Sequence, residues 1–201
     1  MKSKYKLIIV DLYGVMTRGS YWNVTRWLAH KYNRPADAIY AVLYHKYFNQ
    51  AALGKISERQ FFERTIKELG FKEPWRKLRK MHLSFQVLNR SVFRFVLGLQ
   101  KQGYAILLLS KNIPSHYQDT MKKTRLNRYF RHIVNTFDLG LAKASPETVQ
   151  WVLKKFRVKP QETIVIDDQD FNLVAAKKMG AKVIEYKNFA QFKHKLTKAL
   201  Q

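Results

Sequence analysis

Five short, mostly apolar runs recur along the chain, and polar or turn residues bound each of them. Such runs are typical of strands buried on both faces of a parallel sheet. The stretches before the later runs have helical spacing, as in residues 91–102, 146–156 and 171–179. Strands that alternate with helices predict an α/β fold with a parallel sheet. The predicted strands are Leu7–Val10, Ala105–Leu109, His132–Val134, Thr163–Ile166 and Lys182–Ile184.

Residues 18–88 interrupt this alternation, because no convincing strand pattern occurs there. Ser57 and Gln60 have the spacing of a capping box at the start of a helix. We therefore predict a helical cap formed by residues 18–88 and a core domain formed by residues 1–17 and 89–201. The predicted cap helices are residues 23–31, 35–47, 57–69 and 75–85.

The composition narrows the class of protein. With 201 residues, 46% of them hydrophobic, the chain can bury the core of one domain with an insertion. It contains no cysteine, which excludes disulfides and thiolate zinc sites and favours a reducing, cytoplasmic location. The first apolar run is too short for a signal peptide, and none approaches the roughly 18 to 20 residues of a membrane span. We expect no membrane association.

The charge is strongly positive, at +24, and favours anionic partners such as phosphorylated metabolites, nucleic acid or an anionic membrane surface. Residues 75–82 and 121–132 mix basic with aromatic side chains, a pattern that suits phosphate contacts and base stacking. The latter stretch equally fits a helix with a solvated cationic face above buried Leu126 and Phe130. We favour the solvated helix, so a nucleic-acid partner stays open but is not the expectation. A proteome-wide excess of Lys and Arg would explain the charge as well.

Polar side chains follow four of the predicted strands. Asp11 follows the first, Ser110 the second, and Asp167 with Asp168 the fourth, while Lys143 follows the third and precedes a helix. Right-handed crossovers bring the carboxyl ends of parallel strands to one edge of the sheet. We therefore expect these side chains to lie together.

This set of side chains suits phosphoryl transfer. Asp11 can attack phosphorus in line and form an aspartyl-phosphate. Together with Asp167 and Asp168 it predicts an oxygen-only site for Mg²⁺. Lys143 would neutralise the phosphoryl oxygens, and Ser110 would donate a hydrogen bond to one of them. A simple polar turn explains the adjacent aspartates less well, because neighbouring carboxylates repel unless something binds them.

Three stretches resemble the motifs of the haloacid dehalogenase-like hydrolase superfamily. They are "IIVDLYGVMT", "ILLLSKN" and the long segment from "FDLGLAKASPET" to "KVIEY". The helical insertion resembles the small α-helical cap of one subgroup, and "GKISERQFFERTIKELG" is similar to the cap of glucose-1-phosphatase-type sugar phosphatases. The resemblance implies a three-layer, Rossmann-like core and a cap that closes over a small phosphorylated substrate.

The resemblance also implies roles for particular residues. Asp11 would be the nucleophile, and the backbone carbonyl of Tyr13 would join the aspartates around Mg²⁺. Lys111 and Asn112 would bind the phosphate together with Ser110 and Lys143. The sequence does not fix the oligomeric state, and a monomer or a homodimer fits it equally.

Tyr13 departs from the usual pattern, because most phosphatases of the family have an acid–base Asp at this position. A phenol with a pKa near 10 is a poor base at neutral pH. Three interpretations remain. The protein is a phosphatase or phosphotransferase with another acid–base group or a slow second step, or a relative of the 2-haloacid dehalogenases, or a binding protein that has lost catalysis. We favour the first, because dehalogenases have Tyr at this position but lack the adjacent aspartates seen here.

Further departures lie near the other motifs. Lys111 intervenes between Ser110 and Asn112, and Ala144 follows Lys143 where the family usually has Pro. Asn172 replaces a further Asp, for which Asp170 can compensate from outside the site.

Overall fold

The computed structural model describes residues 3–201, and a five-stranded parallel sheet lies at its centre in the order β3-β2-β1-β4-β5. The predicted α/β class and all five strands are confirmed. Each strand runs one residue further than predicted, so Asp11, Ser110 and Asp167 are themselves the last residues of their strands. The strands are β1 (Leu7–Asp11), β2 (Ala105–Ser110), β3 (His132–Asn135), β4 (Thr163–Asp167) and β5 (Lys182–Glu185).

Helices fill the segment between β1 and the rest of the sheet, as predicted. They are α1 (Tyr21–Tyr32), α2 (Ala36–Tyr40), a π-helix (Ala41–Phe48), α3 (Asn49–Ala52), α4 (Glu58–Leu69) and α5 (Trp75–Phe85). Their buried side chains form a hydrophobic cluster separate from the two clusters on the sheet. Large aromatic rings such as Phe48, Phe61 and Phe62 occupy its centre.

Two layers of helices cover the sheet, because successive residues of a strand point to opposite faces. Ile8 and Val10 of β1 pack against α6 (Arg90–Lys101), α7 (Pro114–Thr124) and α10 (Phe189–Leu200). Leu7 and Ile9 face α8 (Pro146–Phe156) and α9 (Val174–Lys178). The result is the three-layer arrangement expected from the sequence. Short 3₁₀ turns occupy Leu126–Arg128, Thr136–Leu139, Pro160–Glu162 and Asp170–Asn172.

The helix predicted over residues 35–47 is wrong in part, since residues from Ala41 onward form a π-helix. Its i→i+5 hydrogen bonds make a wider turn than those of an α-helix, as in the bond from Asn49 N to Tyr44 O. Within this stretch the Tyr40 and Tyr44 rings stack at 4.8 Å, and Tyr44 and Phe48 stack at 5.0 Å. Aromatic packing of this kind is invisible to a simple helical periodicity.

Two further helix predictions need correction. The helix predicted over residues 121–132 ends at Thr124, because Arg125 adopts a left-handed conformation with φ of 55°. Leu126 and Phe130 are nevertheless buried as predicted. The helix predicted over residues 171–179 is reduced to α9, which follows a 3₁₀ turn.

Two connecting segments run side by side where the helical insertion joins the sheet. Backbone hydrogen bonds join Arg18 N to Val87 O and Asn89 N to Met16 O, both at 2.9 Å. Gly19 lies so close to the other segment that a Cβ atom on it would come within 2.4 Å of the Phe85 carbonyl. The junction therefore consists of two closely spaced chain segments joined by hydrogen bonds. Among residues 3–201, no helix has the length and apolar character required for a membrane span.

The capping box at α4 gives a test of the cap. Ser57 Oγ accepts a hydrogen bond from Gln60 N at 3.1 Å, and Gln60 Oε1 accepts one from Ser57 N at 2.9 Å. We expect Ser57→Ala to lower the free energy of unfolding by about 1 kcal/mol, because an N–H group at the helix start loses its partner. Urea denaturation measures this change. Ser57→Asn should stay near wild type, and a loss as large as that of Ser57→Ala would contradict the capping role.

Candidate active site

Three carboxylates converge at the carboxyl edge of the sheet. Asp11 ends β1, Asp167 ends the neighbouring β4, and Asp168 follows directly. The register pairs Val10 with Ile166, so Asp11 and Asp167 occupy equivalent positions on adjacent strands. One oxygen from each of the three carboxylates lies within 4.8 Å of the other two. The strand register therefore produces a compact cluster of oxygen ligands.

Lys143 reaches this cluster from the loop that precedes α8. Its ammonium group contacts Asp11 Oδ1 and donates a hydrogen bond to Asp167 Oδ2 at 2.6 Å. Ser145 fixes the end of the same loop, because its hydroxyl accepts a hydrogen bond from Thr148 N at the start of α8. Lys143 is buried, as are Asp11 and Asp167. The structure thus brings four predicted site residues into one cluster.

The cluster holds more negative than positive charge, since three carboxylates share one ammonium. Burial raises the pKa of Asp11, and the charges of Asp167 and Asp168 add to the effect against that of Lys143. Burial and Asp167 together raise the pKa of Asp168 to about 6. Burial disfavours the charged form of Lys143, but Asp11 and Asp167 outweigh it and raise the pKa of Lys143. A further cation would relieve this imbalance.

The surrounding chain holds two of the carboxylates in place. Asp167 Oδ1 accepts hydrogen bonds from Gln169 N at 2.9 Å and Asn172 Nδ2 at 3.0 Å. Gly14 faces Asp168, and a Cβ atom on it would lie 2.1 Å from Asp168 Oδ2. Because Gly14 also has φ of +99°, no larger residue fits this position without displacing the carboxylate.

Ser110 lies at the end of β2, next to β1. Its hydroxyl oxygen is buried and has no hydrogen-bond partner among residues 3–201. Buried hydroxyls are nearly always satisfied, so an unpaired one at the carboxyl edge of the sheet is a candidate hydrogen-bond donor for a ligand. The Tyr13 carbonyl is likewise free of hydrogen bonds within the described part of the chain.

The structure places the other two predicted phosphate ligands less centrally. Lys111 lines the cavity above the carboxylates, but its ammonium group donates to Asn49 Oδ1 at 3.1 Å. Burial and the neighbouring Lys143 lower the pKa of Lys111 to about 8. Asn112 is buried, and its side-chain oxygen accepts a hydrogen bond from Ile113 N at 2.8 Å.

Tyr13 lines the same cavity, yet its hydroxyl group is bonded elsewhere. It donates a hydrogen bond to Thr120 Oγ1 of α7 at 3.0 Å and lies 3.4 Å from the His116 carbonyl oxygen. Burial raises the pKa of Tyr13 above the usual range for a phenol. The hydroxyl is therefore a neutral group held by α7.

Two small adjoining cavities meet above the carboxylates. The first, of about 30 Å³, is lined by Asp11, Lys143 and Asp168 together with Tyr44. The second extends between the helices of the insertion and is lined largely by aromatic rings, namely Tyr13, Tyr21, Tyr40, Tyr44, Phe48 and His82. The site therefore has a charged floor and an aromatic roof.

Hydrogen bonds join this roof to the sheet. Tyr44 donates to Gln169 Oε1 at 3.1 Å, and Gln169 Nε2 lies 3.4 Å from the Tyr40 hydroxyl. Gln169, which follows the paired aspartates directly, was not among the predicted site residues. Its place in the run "DDQD" is the one sequence signal that could have identified it.

Comparison with known proteins places the chain in a family. The profile described as "haloacid dehalogenase-like hydrolase" matches residues 5–180. D-ribitol-5-phosphate phosphatase of Bacteroides thetaiotaomicron is 25% identical over 157 residues, which are 75% of this chain and 76% of that protein. Pyrophosphatase PpaX of Bacillus mycoides is 28% identical over 94 residues, 47% of this chain. That match spans only 44% of the length of the pyrophosphatase.

A solved structure has the same fold over nearly the whole chain. A HAD family enzyme of Bacteroides thetaiotaomicron matches with a TM-score of 0.74 and 20% identity, covering 96% of this chain and 98% of that one. Another structure of that enzyme, in complex with magnesium and inorganic phosphate, matches with a TM-score of 0.66 and 21% identity over 91% and 94%.

The charge imbalance makes stability depend on pH. Because the pKa of Asp168 is raised on folding, the folded state holds the proton more tightly, and stability falls as pH rises from about 4 to about 6. In metal-free buffer we expect Asp168→Asn to be about 2 to 3 kcal/mol more stable than wild type near pH 7, and nearly equal to it near pH 4. Urea titrations at both pH values measure the difference.

Asp138→Asn is the matched control, since Asp138 is exposed and outside the cluster. A gain in stability that is the same at both pH values would contradict the role of charge.

Proposed function

The chain belongs to the haloacid dehalogenase-like hydrolase family, and on that premise we propose that it hydrolyses or transfers the phosphoryl group of a small phosphorylated metabolite. The observation that carries the proposal is the cluster of three carboxylates with one buried lysine at the sheet edge. The phosphatases among its relatives support the same reaction class.

The cluster fits Mg²⁺. Its donors are all oxygens, they lie within the span of one ion, and their negative charge exceeds that of Lys143. Asp11, Asp167 and Asp168 would hold the ion with the free carbonyl of Tyr13, as hard cations prefer oxygen ligands. When bound, the ion would screen the substrate phosphate from the carboxylates. The magnesium complex of a structural neighbour supports this assignment.

Asp11 would act as the nucleophile. A carboxylate oxygen of Asp11 attacks phosphorus, the new oxygen–phosphorus bond forms, and the bond to the leaving alcohol oxygen breaks. The leaving oxygen takes up a proton from solvent water and departs as an alcohol. Water then attacks the aspartyl-phosphate, which releases phosphate and restores Asp11. Transfer to another alcohol instead of water would make the protein a phosphotransferase.

Two groups of the site would stabilise the transferred phosphoryl group. Lys143 lies beside Asp11 and would neutralise charge on the phosphoryl oxygens. The unpaired hydroxyl of Ser110 would donate to one of these oxygens and so gain the partner it lacks. Lys111 and Asn112, which line the aromatic cavity, would contribute further phosphate contacts, for which Lys111 would exchange its hydrogen bond to Asn49.

Residues 18–88 would act as a cap above this site. While the Tyr44–Gln169 hydrogen bond is intact, the aromatic roof leaves room for little more than a small group beyond the phosphate. Opening at the narrow junction near Gly19 would admit substrate and release product. A sugar or polyol phosphate fits such a site, because aromatic rings and tyrosine hydroxyls suit its carbon chain and hydroxyl groups.

The first experiment measures phosphate release from a panel of sugar and polyol phosphates, with Mg²⁺ and with chelator. We expect Mg²⁺-dependent turnover, and a loss of about 1,000-fold or more in Asp11→Asn, because the nucleophile is removed. Asp138→Asn should keep wild-type turnover, because Asp138 is exposed and outside the cluster. Wild-type turnover that survives in Asp11→Asn would exclude the aspartyl-phosphate route.

Mg²⁺ binding has a readout besides activity. Mg²⁺ should raise the melting temperature of the wild type, since a ligand of the folded state stabilises it. The same addition should have no effect on Asp168→Asn.

Tyr13 gives a separate prediction. We expect Tyr13→Phe to stay within about threefold of wild type, because the hydroxyl donates to Thr120 rather than to the reacting group. Tyr13→Asp should raise turnover at least about tenfold, since an acid–base carboxylate typically contributes 10²- to 10⁴-fold. Steady-state kinetics on the best substrate of the panel measure both.

Loss of activity in Tyr13→Phe would make the phenol the proton donor. If the wild type shows no turnover and Tyr13→Asp does, the protein would instead be a binding protein that has lost catalysis at this residue.

A further inference from the structure

Two basic and aromatic stretches far apart in the sequence come together in the structure. Residues 75–82 lie in α5 of the helical insertion, and residues 121–132 cover the end of α7 and the following 3₁₀ turn. Nine of these twenty residues are Lys or Arg and none is Asp or Glu, whereas the whole chain has 38 Lys and Arg in 201 residues. A uniform excess of basic residues does not produce so local a concentration.

Side-chain contacts show that α5 and α7 run next to each other in the same direction. Arg79 of α5 forms an ion pair with Asp119 of α7 at 2.7 Å. One turn further on, Lys123 of α7 donates to the carbonyl oxygens of Leu83 and Ser84 at 3.0 and 3.2 Å. Both helices therefore end at the same place, and we call their cations, together with those of residues 125–131 that follow α7, the basic surface.

Most cations of the basic surface form no ion pair in the described part of the chain. Arg79 and Lys77 form ion pairs with carboxylates. Within residues 3–201, the remaining cations of the basic surface form no ion pair. These are Arg76 and Lys80 on α5, and Lys122, Lys123, Arg125, Arg128 and Arg131 on the other stretch, and all are exposed.

Aromatic rings lie among these cations. The side chain of Tyr129, which is 48% exposed, lies between Arg128 and Arg131 in sequence and rests with its ring 5.1 Å from that of Phe93. The Arg76 guanidinium lies 4.9 Å from the centre of the Trp75 ring. An open groove of about 560 Å³ runs along α5 and is lined by Trp75, Arg76, Arg79 and Lys80, with Leu83 and the carboxylate of Glu58, which is paired with Arg79.

We propose that the basic surface binds nucleic acid through its phosphate backbone, without reading the base sequence. Exposed cations on the paired helices and on the segment after α7 supply the phosphate contacts, and the exposed ring of Tyr129 supplies stacking that every base accepts. The surface lies on α5 and α7, apart from the residues that line the carboxylate cavity. Binding is therefore independent of the phosphatase reaction proposed above.

The test measures binding of a fluorescently labelled single-stranded RNA of about 20 nucleotides by anisotropy, over a series of salt concentrations. The variant K122Q/R128Q/R131Q removes three cations and leaves Arg125 with its left-handed backbone untouched. If all three contact phosphate, the slope of log K against log salt falls by about 2, and affinity near 0.1 M salt falls about 100-fold.

A second variant, R76Q/K80Q, tests whether the α5 half takes part, and should weaken binding as well. The matched control K154Q/K177Q/K178Q removes three exposed cations from α8 and α9 on the opposite layer, and should stay within about threefold of wild type. Asp11→Asn should bind as the wild type does. Circular dichroism shows that each variant is folded.

Several outcomes would overturn the proposal. One is the absence of RNA binding near 0.1 M salt, and another is an equal loss in the matched control, which would mean attraction by net charge alone. A third is binding to phosphatidylserine vesicles that depends on the same cations while RNA is not bound, which would assign the surface to a membrane.

Discussion

The contact of one buried ammonium group with two carboxylates on adjacent strands governs the rest of this site. Without Lys143, Asp11 and Asp167 would be two like charges buried side by side, which is among the costliest arrangements in a protein interior. With Lys143 the pair is neutralised only in part, because Asp168 adds a further negative charge. The folded protein therefore has uncompensated negative charge at the sheet edge, which a bound proton or cation would neutralise. This charge links the stability of the fold, its affinity for metal and its chemistry.

The sequence predicts most of the sheet and the membership of this cluster. Continuous apolar runs can only be strands buried on both faces, and parallel connectivity then forces their polar ends to one edge. That reasoning predicted that Asp11, Lys143, Asp167 and Asp168 lie together at this edge, and the structure brings these four side chains into contact distance. It did not predict which atoms contact each other. The position of Lys143 depends on the loop between β3 and α8 and on the Ser145 N-cap of α8, and neither feature produces a periodic pattern in the sequence.

Other features could not be predicted because they depend on packing between distant segments. The π-helix places its aromatic rings according to their neighbours in the insertion, and a helical pattern alone cannot distinguish it from an α-helix. The orientation of the Tyr13 hydroxyl depends on Thr120, more than a hundred residues away. Nothing in the sequence indicates that the basic stretches at residues 75–82 and 121–132 lie together, because only the pairing of α5 with α7 brings them side by side.

Hydrogen bonds connect Tyr13, through α7, to the helical insertion. Its hydroxyl is hydrogen-bonded to Thr120 of α7. On the same helix, His116 contacts Glu58 of α4, and the Nδ1 atom of His116 forms a hydrogen bond of 2.7 Å with the Tyr21 hydroxyl of α1. The hydrogen bonds and charges of His116 and Arg79 outweigh the effect of burial and lower the pKa of Glu58 to about 2, so this carboxylate stays charged at neutral pH.

A residue bonded to α7 in this way is joined to the insertion indirectly, through side chains of that helix such as His116. Tyr13, two residues after Asp11, therefore links the sheet edge to α7, and any proton transfer from Tyr13 has to compete with its hydrogen bond to Thr120.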